Sequence, residues 1–155
     1  MKQSISISLS LSLSLLCLLA PGCATQDDGD EPQEHVSQLV DQEVDELQSQ
    51  VDVICDCWND WGLESRSSCE VDALAIGPSQ VRCMKNAYAQ DPEISIDYLE
   101  CIVPLEREYT TCINQRLECY DVDSADPCYD DYLVGLDDCI GLPTNITRDL
   151  DACFE

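Results

Sequence analysis

Ten cysteines fall between residues 51 and 155, in 105 positions. That density marks a chain stapled by disulfides rather than held by a large apolar core. From Cys23 onward, Leu, Ile, Val and Phe make up 30 of 133 residues. This is near the level of roughly 20% below which highly charged chains stay disordered. Burial here competes with chain entropy and with self-repulsion, because 32 acidic side chains face 7 basic ones for a net charge of −25. Cross-links offset that deficit. They need an oxidising compartment, so the chain is expected to be exported. The same charge argues against binding to nucleic acid or anionic membrane surfaces.

The cysteine spacing is regular in one place. Cys101 and Cys112 are eleven apart, as are Cys128 and Cys139. Eleven residues is about three helical turns, so each helix presents two thiols on one face, about 16 Å apart. In an antiparallel hairpin, Cys101 with Cys139 and Cys112 with Cys128 both have residue numbers summing to 240, so the two bridges form without register conflict. The pattern resembles the twin C-x9-C or C-x10-C hairpins of small, oxidatively folded helical proteins. That resemblance covers residues 101–139, and Cys119 in the turn departs from it. The other six, Cys55, Cys57, Cys69, Cys83, Cys119 and Cys153, allow 15 pairings among which the sequence does not choose.

The N-terminus agrees with export. Lys2 is followed by an apolar stretch from Ile5 to Ala20, diluted by alternating serines. Position and length fit a signal h-region better than a strand, and the stretch is too short and polar for a stable membrane span. Two cleavage readings compete. Ala20-Pro21-Gly22-Cys23 resembles a bacterial lipobox, in which Cys23 is lipidated and becomes the new N-terminus. Ordinary cleavage after Ala24, with Gly22 and Ala24 as the small-residue pair, is the alternative. The acidic segment Gln26–Pro32 favours the lipoprotein, since it suits a tether between membrane and domain. With Ala24 rather than Asp after the cysteine, resemblance to lipoprotein sorting rules implies the outer membrane.

The mature chain reads as helical throughout. Val40, Val44, Leu47, Val51 and Ile54 form one stripe on a helix from Gln33 to about Trp58. The stripe runs for about two heptads, short for a coiled-coil seam, so it is read as docking on its own domain. Ser67 with Glu70 reads as a capping box opening a helix to about Ile76. Pro78 opens the next helix, to about Gln90. Asp91-Pro92-Glu93 opens another, to about Cys119, which Pro104 is expected to kink or split. Asp126 is read as the cap of a helix ending near Gly141, and Pro143 or Thr144 opens the last, through Cys153. The expected fold is all-α: a small disulfide-rich bundle of five or six short helices including the antiparallel hairpin.

Catalytic and metal chemistry find little support. The only histidine, His35, stands at the margin of the tether, and no C-x-x-C pair exists. Zinc, haem and C-x-x-C redox motifs are therefore absent, and no carboxylate pair is singled out. A calcium candidate is Asp121, Asp123 and Asp126 in the hairpin loop, where alternate carboxylates suit a hard cation. It is not an EF-hand, because the sixth position is Asp126 rather than Gly and the twelfth is Tyr132 rather than Glu. Trp58, Trp61, Tyr98, Tyr109, Tyr120, Tyr129 and Tyr132 are read as core bulk, a recognition patch being the alternative. Asn145-Ile146-Thr147 is a glycosylation sequon, meaningful only in a eukaryotic chain.

The organisation is then a signal peptide at 1–22, an acidic tether at 23–34 and a disulfide-rich helical domain at 35–155. The whole resembles the acidic, cysteine-rich lipoproteins of Gram-negative bacteria, a group with no activity to carry over. The implied function is that of a non-enzymatic, lipid-anchored envelope protein with a structural or protein-binding role and no cofactor. It would meet the membrane through Cys23, facing the periplasm or the cell surface. A freely secreted effector or inhibitor of a basic partner is the alternative, and a calcium-binding envelope protein a weaker one.

Overall fold

The computed structural model describes residues 31–73 and 76–154. Six α-helices carry the fold: α1 Glu31–Cys55, α2 Arg66–Asp72, α3 Pro78–Tyr88, α4 Pro92–Arg116, α5 Asp126–Leu136 and α6 Thr144–Asp151. A 3-10 turn, Val122–Ala125, precedes α5. Among the described residues there is no strand, only an isolated bridge between Glu118 and Asp121. The fold is a small, all-α, disulfide-rich bundle.

Two 25-residue helices, α1 and α4, form its axis and run parallel. His35 lies 3.6 Å from Glu100, Glu46 is 2.7 Å from Arg107, and Cys57 is bonded to Cys119. Parallel neighbours need a return path, and α2 and α3 supply it. Lys85 reaches Asp41 at 2.7 Å and Gln48 Nε2 donates to the Ile76 carbonyl at 3.1 Å, so α3 runs antiparallel to α1. The core joins Val36, Leu39, Val40 and Val44 of α1 to Met84 and Tyr88 of α3, Leu99, Ile102 and Val103 of α4 and Ile146 of α6.

The expected α1 stripe is only half a core. Val40 and Val44 are buried, whereas Leu47, Val51 and Ile54 are half-buried. They line an apolar cleft of about 340 Å³ with Ala73, Ile76 and Phe154. The sequence stripe also missed Val36 and Leu39, whose spacing from Val40 and Val44 extends the apolar face toward the N-terminus.

Several helix boundaries differ from the sequence reading. Helix α1 starts at Glu31, two residues before the expected Gln33, so it takes in four residues assigned to the tether. The cap of α2 is Ser65, not Ser67: its hydroxyl accepts from the Ser68 amide at 3.0 Å. Starting there puts Arg66 where it bonds Glu70 at 2.9 Å, Asp52 at 2.8 Å and Asp56. Arg66 is the first cation after Lys2, and in that acidic stretch this gathering decides the boundary. Asp126 is the first residue of α5 rather than its cap, which is Ala125 at the end of the 3-10 turn.

Pro104 does not divide α4. Pro104 is exposed, as is Glu100, whose carbonyl loses its intrahelical donor and is free to meet water. Buried Leu99, Ile102, Val103, Glu106 and Ile113 hold the rest of the helix in place. The loop after α1 closes with Gly62 at φ +72°, a left-handed conformation that glycine adopts without strain.

Candidate functional site

Five disulfides tie the elements to one another. Cys101 bonds Cys139 and Cys112 bonds Cys128, with Cα–Cα distances of 5.8 and 5.7 Å, so α4 and the α5 segment form an antiparallel hairpin. The six cysteines left open by sequence pair as Cys55–Cys69, Cys57–Cys119 and Cys83–Cys153. Each joins a helix to something it would otherwise meet over little area. Cys55–Cys69 pins the seven-residue α2 to the end of α1, and Cys83–Cys153 pins α6 to α3. Cys119, the departure from the hairpin pattern, ties that hairpin to the end of α1. Trp61 supports the same junction, donating from Nε1 to the Cys119 carbonyl at 2.9 Å.

The lipidation residue Cys23, the signal segment 1–22 and tether residues 23–30 lie outside the described residues. The calcium candidates are placed but not gathered. Asp121 precedes the 3-10 turn, Asp123 lies within it and Asp126 starts α5, all exposed. Among the described residues, no group of three or more His, Cys, Asp or Glu side chains is placed to hold a metal ion. The short turn spreads these carboxylates instead of wrapping them around one point. Their acidity marks a solvated connection.

The aromatics divide between both readings. Trp58 and Trp61 are half-buried in the turn after α1. Tyr109 packs against Tyr132 and Tyr129 at the α4–α5 seam, with ring centroids 5.4 and 6.5 Å apart. Tyr120 is 86% exposed. The deeply buried one is Tyr88, which the sequence reading passed over. Asn145 of the sequon is exposed, and its amide donates to Gln90 Oε1 at 3.0 Å.

One polar cluster lies inside the bundle. Glu43 of α1 and Glu106 of α4 are only 6% and 5% exposed. Tyr88 Oη donates to Glu43 Oε1 at 3.0 Å, while Ser95 Oγ fixes the Tyr88 carbonyl at 2.8 Å. The second oxygens, Glu43 Oε2 and Glu106 Oε2, have no hydrogen-bond partner. Burial pushes Glu43 up to about 7, only partly opposed by the Tyr88 hydroxyl. Burial also raises Glu106, helped by the negative charges of Glu43 and Glu46, to about 8. Both therefore retain protons where surface carboxyls are ionised. Heptad position hid them: Glu43 and Glu106 each sit between apolar neighbours on a buried face, and in so acidic a chain one glutamate looks like another. Neither lines the apolar cleft beside α1 or the grooves flanking α4. Such depth suits a structural, proton-holding pair better than attack on a substrate.

The surface is nearly all of one sign. From Leu117 to Thr147 there are eight acidic residues and no Lys, Arg or His. Elsewhere four of the six described Lys and Arg side chains are in ion pairs: Arg66 with three acids, Lys85 with Asp41, Arg107 with Glu46 and Arg148 with Asp149. No described helix is long and apolar enough to cross a membrane. Neither a model of a protein family, nor a curated protein, nor a solved structure matches the chain.

Proposed function

We propose that this is a non-enzymatic, lipid-anchored cell-envelope protein with a protein-binding role, a rigid helical module carried on an acidic N-terminal segment. The observation that carries the reading is the use of the ten domain cysteines. All are consumed in bonds between separate elements, which is how an exported module with a thin core keeps one shape. The Gly22-Cys23 pair supplies the anchor and the acidic residues after it the tether. The outer membrane is the membrane this reading assigns, on the strength of Ala24 after the cysteine. The −25 charge favours a basic partner through long-range attraction.

Cys23→Ala tests the anchor. Expression in the native host, followed by fractionation, should move the protein from membranes to the soluble fraction. Fractionation unchanged by the substitution contradicts lipid anchoring through Cys23. A second reading, a freely secreted binder, is favoured by the small pair Gly22 and Ala24; it requires a mature N-terminus at Thr25.

A further inference from the structure

Helix α5 turns one face to α4 and leaves the other without a neighbour. Cys128, Tyr132, Gly135 and Cys139 follow helical spacing and face α4. Gly135 marks how close the approach is, since a Cβ there would lie 2.6 Å from Leu105 Cδ2. Of the α5 residues only Cys128 is buried. Tyr129 lies at the edge of the α4 contact, its ring 6.5 Å from Tyr109 of α4 yet 51% exposed. Leu133, one turn on, is 42% exposed, and Val134, on the outer face, is 69% exposed. Ile140 beyond the helix and Tyr120 before it are also exposed.

Asp126, Asp130 and Asp137, at helical spacings of four and seven, form an exposed row between Tyr129–Leu133 and Val134. No cation lies within the segment from Leu117 to Thr147 to neutralise them. An exposed apolar row beside an unneutralised acidic row is complementary to one kind of surface: apolar anchors beside Lys or Arg at the same helical spacing. The two disulfides that clamp α5 to α4 hold this face rigid, which lowers the ordering cost of binding.

We propose that the outer face of α5 is a docking surface for a cationic amphipathic helical segment of a partner protein. The inference rests on the protein-binding reading above and gives that partner its chemistry.

The test uses the mature oxidised protein and a fluorescent Lys/Leu helix-forming peptide of about 14 residues, read by anisotropy. Oligolysine of equal charge serves as the apolar-free control. Saturable binding is expected, weakening as salt rises. Leu133→Ser with Val134→Ser leaves the net charge unchanged and touches only exposed side chains, so far-UV circular dichroism should stay constant. It should weaken Lys/Leu peptide binding by about tenfold or more and leave oligolysine binding unaltered. Asp126→Asn, Asp130→Asn and Asp137→Asn together should weaken binding and flatten its salt dependence. Binding that survives both sets of changes overturns the placement on α5 while leaving the protein-binding reading standing. Failure of every cationic probe to bind contradicts both, whatever the outcome of membrane fractionation.

Discussion

Glu43 and Glu106 are where single residues control this fold. Each folded-state pKa, about 7 and about 8, lies above the ordinary value of 4.5. Between pH 4.5 and 8 the native state therefore holds protons that the unfolded chain has released. Stability then falls as pH rises through that window and levels off above it. Self-repulsion among the acidic residues acts in the same direction. Urea denaturation of the oxidised protein should give a midpoint higher at pH 5 than at pH 8.5. Glu106→Gln should remove part of that slope, gaining on the order of 1–3 kcal/mol at pH 8.5 with little change at pH 5. An unchanged slope in the variant would show that Glu106 is not a source of the pH dependence. A second residue prediction concerns Ser65. Because its hydroxyl accepts from the Ser68 amide, Ser65→Ala should cost about 1 kcal/mol, whereas Ser67→Ala should cost little. Denaturation midpoints of the two variants separate these caps.

The hairpin and its clamps decide behaviour among the elements. Cys101–Cys139 and Cys112–Cys128 hold α5 to α4 across sequence separations of 38 and 16. Replacing Cys112 and Cys128 together by Ala should cost about 2–4 kcal/mol. It should raise amide exchange first in α5, whose own apolar burial is small. Exchange mapped by mass spectrometry checks the order, and protection retained in α5 but lost in α1 would contradict it. This hairpin was legible because three helical turns separate each cysteine pair and the symmetric pairing has no register conflict. The remaining bridges were not legible. Cys57–Cys119 requires α1 and α4 to run parallel, and that depends on two intervening helices turning the chain back. Helix starts at Pro78 and Pro92 were readable because proline fits the first turn. The start of α2 was not, because three nearby serines, Ser65, Ser67 and Ser68, all suit a cap. Arg66 and its three acids made the choice. That Pro104 would not split α4 was not legible, because exposure decides whether the freed carbonyl can be satisfied.

For the molecule as a whole, covalent links compensate for a core confined to one seam. The buried cluster runs along α1, α3, α4 and α6; it takes no buried residue from α2 or α5, and α5 meets it only through half-buried Leu136. Reduction should therefore remove most helical circular dichroism at neutral pH and low salt, and added salt should restore part of it by screening the acidic surface. Retention of the native spectrum after complete reduction would show that the core suffices alone. The all-α class was readable from periodicity and helix caps, and the stapling from cysteine density. The proposed docking face was not, because Leu133 and Val134 look like core residues until α4 is seen to pack on another side of α5. The central claim is an exported, five-disulfide module anchored through Cys23. The most direct test is the intact mass of the protein taken from native membranes, with and without reduction and alkylation. The account predicts a chain beginning at a lipidated Cys23, with the ten domain cysteines alkylated only after reduction. An unlipidated chain beginning at Thr25, or alkylation before reduction, would contradict it.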